Sequence, residues 1–85
     1  MKILDVRTKR EFDQGHINGA LWFELGRILG GEMPNVPKDV ETVLYCRSGV
    51  RADVAMRVLR ENGFMRALNG GGMAAMVARG YEVVH

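Results

Sequence analysis

The sequence predicts one α/β domain over residues 1–85, an α/β/α sandwich on a mostly parallel sheet. Three observations carry this. Short apolar runs alternate with stretches of helical period, an order that lays helices on the faces of a parallel sheet. One run, Thr42-Val43-Leu44-Tyr45, is apolar and β-branched without interruption, as a strand buried on both faces should be. The chain has 85 residues, 47% hydrophobic and 26% charged, which is globular in composition and long enough for one core.

The elements follow in order. Residues 3–6 read as a strand. Thr8 and Glu11 then match a capping box, in which the Thr8 hydroxyl accepts the Glu11 amide and the Glu11 carboxylate accepts the Thr8 amide. The short helix they start, over 9–14, ends at Gly15. Residues 20–23 form a second strand and 24–29 a short helix closed by Gly30-Gly31. Residues 33–39, with Pro34 and Pro37, are a loop. The strand at 42–45 is followed by the main helix, 50–61, where Val50, Val54 and Val58 recur at i, i+4, i+8. With Ala55 and Leu59 they are the expected core face. Asn62-Gly63 closes this helix. A short strand at 66–68, a flexible Gly70-Gly71-Gly72 turn, a last helix at 73–78 and an extended tail at 81–84 complete the chain. Met73 and Met76, at i and i+3, are expected core contacts.

Composition narrows the function. Twelve basic against ten acidic residues leave +2, and no basic tract is interleaved with aromatics, so nucleic acid is not an expected partner. Nine of the twelve are Arg, which suits the gripping of planar oxyanions but also follows from genome composition. No apolar run approaches the roughly 20 residues that span a bilayer, so no membrane partner is expected. The opening Met1-Lys2-Ile3-Leu4-Asp5 lacks the apolar core of a secretory leader. The cytoplasm is therefore the expected compartment, with the periplasm retained for a chain whose leader has been removed.

Cys46 is the one cysteine, which excludes an internal disulfide, a CxxC redox pair and a thiolate zinc cluster. The two histidines, His16 and His85, lie far apart in the chain, so neither metal nor cofactor is expected. Cys46 falls where the main strand meets the main helix, and ligands of open α/β sheets bind at the carboxyl ends of strands. The intervening segment is Cys46-Arg47-Ser48-Gly49-Val50-Arg51. Gly49 permits a turn in which successive amides converge, and the helix behind adds its unpaired N–H groups. Such a cradle favours a thiolate or a bound anion, with Arg47 and Arg51 as cationic forks. The alternative is a core thiol ending a buried strand beside two solvated arginines. The glycine-containing junction favours an anion site.

The residues then show a family likeness. Leu4-Asp5-Val6-Arg7, Glu11-Phe12 and Gly15-His16-Ile17-Asn18-Gly19-Ala20 resemble the N-terminal signature of rhodanese-like domains. Val43 to Arg51, Gly63-Phe64, Asn69-Gly70-Gly71 and Gly80-Tyr81-Glu82-Val83 match later family motifs in the right order. The likeness runs from Ile3 to Val84. It implies a three-layer rhodanese-like sandwich that is short at its N-terminus, since the family begins with a helix and strand upstream of Asp-Val-Arg. An edge strand would then be missing or supplied by a partner, and the oligomeric state is left open. The family's last helix often carries a Trp near Met76, and its absence implies a looser pocket wall.

Loop length separates the chemistries the resemblance allows. Rhodaneses carry a six-residue loop counted from the Cys, which Cys46 to Arg51 matches. Related Cys-dependent phosphatases use C-x5-R, one residue longer, and a bulky phosphoester needs that wider pocket. The resemblance therefore implies a sulfurtransferase of the thiosulfate type. Cys46 attacks a small anionic sulfur donor and holds a persulfide among the loop amides of Arg47, Ser48, Gly49, Val50 and Arg51. A thiol, with thioredoxin or glutathione as candidate acceptors, or cyanide in an assay, then takes the sulfur. Arg47 and Arg51 steer the donor and stabilise the leaving sulfite. Asp5 and Arg7 are supporting residues, read as an ion pair that holds the loop in preference to a substrate contact. His16 is read as a structural hydrogen-bonding residue. The competing functions are a non-enzymatic rhodanese-like binding module and a Cys-dependent phosphatase or arsenate reductase.

Overall fold

The computed structural model describes all residues, Met1–His85. In chain order the elements are β1 (Lys2–Asp5), α1 (Lys9–Asp13), β2 (His16–Ile17), β3 (Leu21–Trp22), α2 (Leu25–Leu29), β4 (Thr42–Cys46), α3 (Val50–Glu61), β5 (Ala67–Gly72), α4 (Met73–Ala78) and β6 (Val83–Val84). The main sheet has the order β3-β1-β4-β5 and is parallel throughout. β1 pairs with β4 in the register Lys2↔Thr42 to Asp5↔Tyr45. A separate antiparallel pair joins His16 to Val84 and Ile17 to Val83.

Strand alternation sets the layers. Every residue of β4 is buried, and successive side chains point to opposite faces. Leu44 and Cys46 join Leu4, Val6, Ile28 of α2 and Ala52, Ala55 and Leu59 of α3 in one core. Val43 and Tyr45 join Ile3, Ile17 of β2 and Met76 of α4 in the other. Each fully buried aliphatic side chain contributes on the order of 1.5–3 kcal/mol, so β4, feeding both cores, is the central element. α1 buries nothing and is set by its capping box instead, with the Glu11 amide 3.2 Å from Thr8 Oγ1 and the Thr8 amide 3.1 Å from Glu11 Oε1.

Three expectations are corrected. The expected face of α3 is only partly the buried one: Ala55 and Leu59 are buried as expected and Val58 packs partly against the core, but Val50 is 69% and Val54 39% exposed and Ala52 is buried in their place. Alanines let the helix axis approach the sheet closely, and β-branched side chains at the contact would hold it away. Gly70-Gly71-Gly72 is not a flexible turn. β5 runs through Gly72, which pairs with Cys46 after a register irregularity between Leu44 and Cys46. The tail narrows to Val83–Val84 and pairs with β2, a strand too short to carry a periodic signal. Met76 is a core contact as expected, fully buried, with its Sδ accepting Arg79 at 2.9 Å.

Candidate active site

β4 ends at Cys46 and α3 begins at Val50, so the chain must reverse within three residues. Gly49 makes the turn at φ 95°, a left-handed conformation costly to any residue with a Cβ. The turn returns the Gly49 amide to Cys46, where it donates to Sγ at 2.9 Å. Gly49 also caps α3, whose first amides have no intrahelical acceptor and whose positive dipole end faces the loop. Cys46 itself is buried.

β5 closes the loop from the side. A Cβ on Gly72 would collide with the Arg47 carbonyl, and one on Gly49 would lie 3.2 Å from Gly71 Cα. A Cβ on Gly70 would lie 2.7 Å from Val43 Cγ1 and 2.8 Å from Met76 Sδ. The three consecutive glycines are thus a packing surface, on which Gly71 and Gly72 meet the backbone of the loop and Gly70 meets the Val43 and Met76 side chains.

The two loop arginines differ. Arg51 forms a two-pronged ion pair with Glu11, at 2.7 Å to Oε1 and 3.0 Å to Oε2. The Arg51 hydrogen bond is the main reason the Glu11 carboxyl falls to about 2, assisted by the Thr8 backbone and opposed by burial. Arg51 is raised in turn, chiefly by its hydrogen bond to Glu11, against its own burial. Arg47 is exposed and forms no ion pair. It lines a depression of about 360 Å³ with Arg7, Glu11, Gln14, Gly15, Met73 and Val83. Cys46 is not on that wall. Arg47, its neighbour in the loop, and Glu11, the partner of Arg51, connect the depression to it.

Below the loop lies a buried polar cluster. Arg7 Nη2 bonds Asp5 Oδ2 at 2.7 Å and the Gly15 carbonyl at 2.7 Å, and Arg7 Nε bonds Asp5 Oδ1 at 3.0 Å. The Tyr45 hydroxyl donates to Asp5 Oδ2 at 2.7 Å and accepts the Ile17 amide at 2.9 Å. Burial works against the Arg7 charge, but the hydrogen bond and charge of Asp5 outweigh it and raise Arg7 overall. Burial also pushes the Tyr45 phenol upward, so it stays protonated and donates. No buried side-chain polar atom lacks a partner. His16 is held by its Nδ1 3.0 Å from the Phe12 carbonyl and by stacking on the Phe12 ring at 3.7 Å.

The sequence profile of the rhodanese-like domain matches residues 1–78. The chain belongs to the rhodanese-like family. It is 37% identical over 83 residues to a sulfurtransferase of Allochromatium vinosum, covering 96% of this chain and 77% of that protein. It is 31% identical to the thiosulfate sulfurtransferase PspE of Escherichia coli, over 82% of this chain and 68% of that one. The crystal structure of the Rhodanese_3 like domain from the Anabaena Alr3790 protein superposes with a TM-score of 0.86 at 27% identity, covering 100% of this chain and 99% of that one. Some relatives are longer, and of these the chain spans 20%. The family is one of sulfurtransferases.

Within this rhodanese-like domain the expected residues are brought together unevenly. Cys46 to Arg51 form one loop around the thiol. Asp5 and Arg7 meet as a buried ion pair, joined to the loop through Tyr45, the residue before Cys46, while Arg7 also shares the depression with Arg47. Glu11, Tyr45, Gln14, Met73 and Val83 were not expected at the site. Glu11 was legible only as a helix cap, and it serves both Thr8 and Arg51. Tyr45 was legible only as part of the buried strand that ends at Cys46, and nothing local marks Gln14, Met73 and Val83, which reach the site from other elements.

Proposed function

We propose that this rhodanese-like domain transfers sulfane sulfur through a persulfide on Cys46, with thiosulfate or a similar small anion as donor. The observation that carries the proposal is the Gly49 amide 2.9 Å from Cys46 Sγ, at the head of α3. An N–H aimed at sulfur favours the thiolate and then the persulfide, which keeps its negative charge one atom further out.

The thiolate attacks the outer sulfur of thiosulfate. The Sγ–S bond forms, the S–S bond of thiosulfate breaks, and sulfite departs with the electron pair. In the second half-reaction an acceptor thiolate attacks the outer sulfur, forming its own persulfide and restoring the Cys46 thiolate. Cyanide would leave as thiocyanate. No proton or electron need be supplied to either step. Arg47 draws the dianion in and offsets charge on the leaving sulfite, and Arg51 holds the loop through Glu11. The burial of Cys46 supports a small donor, because a bulky phosphoester would have to displace the loop to reach Sγ. The name of the relative PspE supports thiosulfate specifically.

The test is to incubate reduced protein with thiosulfate and record its intact mass beside Cys46→Ser. The expected result is a gain of one sulfur atom, removed by cyanide and absent in the variant. A folded protein that gains no sulfur from thiosulfate or from polysulfide would overturn the proposal and leave a binding module, with phosphatase and arsenate assays to follow.

A further inference from the structure

The Cys46 loop has an inherent weakness. Its amides act only if their peptide planes are held, yet the pivot is Gly49, the residue least able to hold a plane. Packing against Gly71 limits the space around Gly49 but offers no directional contact, since neither residue has a side chain. Hydrogen bonding does. Asn69 of β5 donates from Nδ2 to the Gly49 carbonyl at 3.0 Å, and its Oδ1 accepts the Gly71 amide at 2.8 Å. The Gly49 carbonyl also accepts the Asp53 amide at 2.9 Å, the first bond of α3.

We infer that Asn69 is a positioning residue for sulfur transfer, acting through the Gly49–Val50 peptide on the loop that holds the Cys46 persulfide. The inference rests on the function proposed above. No peptide bond in the chain is cis, so the Val50 N–H points opposite to the Gly49 C=O. Asp53 and Asn69 together hold that oxygen on the α3 side, and the Val50 N–H is thereby aimed out of the helix start, toward the end where the Gly49 amide meets Sγ. Asp53 belongs to α3 and moves with it. Asn69 is the restraint from outside, anchored to β5 by Gly71 and to β4 by the Leu44↔Asn69 pairing. Asn69 is exposed and belongs to neither apolar core, so the fold does not depend on it as it does on Leu44 or Leu59.

Asn69→Asp retains the acceptor for Gly71 but sets a carboxylate oxygen against the Gly49 carbonyl, and Asn69→Ala removes both bonds. Three quantities are measured for each: kcat and KM for thiosulfate with cyanide as acceptor, the rate of Cys46 alkylation by iodoacetamide at one pH, and Tm. Both variants are expected to lose about tenfold in kcat and severalfold in alkylation rate. KM should stay within about twofold, because Arg47 still collects the donor, and melting should stay within a few degrees. Unchanged kcat and alkylation in both variants would overturn the inference, as would losses fully accounted for by the unfolded fraction. Alkylation needs no sulfur donor, so it decides the role of Asn69 even if the wild-type protein takes up no sulfur, an outcome that refutes the proposed function alone.

Discussion

Glu11 holds Arg51 across 40 residues of sequence with two hydrogen bonds, while Arg47, four positions earlier in the same loop, has no carboxylate partner. The two cations at the site are therefore not equivalent. Arg47 is free to meet an incoming anion, and Arg51 fastens the start of α3 to the start of α1.

Arg47→Ala is expected to raise KM for thiosulfate by up to about tenfold with kcat nearly unchanged, and to flatten the dependence of kcat/KM on ionic strength. Arg51→Ala should instead lower kcat and Tm together, because it frees the loop and leaves Glu11 unpaired. Steady-state kinetics over a salt series checks both. Equal KM effects from the two substitutions would contradict the division of roles.

The same pair sets an acid limit. The Glu11 carboxyl titrates at about 2 in the folded protein against its ordinary 4.5. A depressed carboxyl contributes its full stability above the unfolded value and loses it as pH falls through the folded one. The contribution is thus complete at neutral pH and disappears between 4.5 and 2. The stability difference between wild type and Glu11→Gln, at most about 1 kcal/mol for so exposed a pair, should shrink across that window in urea titrations. A difference that grows toward acid would refute the linkage.

The buried cluster beneath the loop is more sensitive. Asp5→Asn leaves the Arg7 guanidinium buried without its counter-charge, at a cost of about 3–5 kcal/mol. Tyr45→Phe strips one hydrogen bond from Asp5 and one from the Ile17 amide, at about 1–3 kcal/mol. Chemical denaturation should rank them in that order, and a neutral Asp5→Asn would show that the ion pair does not support the fold.

Two glycines are expected to respond in opposite directions. A methyl group at Gly72 meets the Arg47 carbonyl backbone, which cannot yield without moving the Cys46 loop. Gly72→Ala should cost more than about 2 kcal/mol and suppress persulfide formation. Gly26, within α2, has open space around it and ordinary helical φ. Gly26→Ala should stabilise by about 0.5–1 kcal/mol through the unfolded chain. Thermal melts of the two variants make the comparison.

Much of this protein was determined by the sequence at short range. The strand at 42–45, the capping box of Thr8 and Glu11, the helix at 50–61 and the glycine-containing loop after Cys46 each depend on residues a few positions apart. Their physical causes, side-chain period, orphan helix amides and glycine's access to positive φ, act over the same distance. The rotation of α3 was legible only in part. Ala55 and Leu59 read as core and are core, but Val50 and Val54 fit the stripe as well as Ala52 does until the sheet exists, and only then does the need for close approach select the alanine. The glycines at 70–72 likewise suggest looseness when taken locally, and become a rigid surface once Cys46 and Arg47 lie against them. Only the tertiary structure decided which arginine is free, what Tyr45 holds, and that Asn69 reaches Gly49. Each of these contacts joins groups brought together by the parallel crossovers, and a hydrogen bond between residues tens of positions apart leaves no periodic trace in the chain.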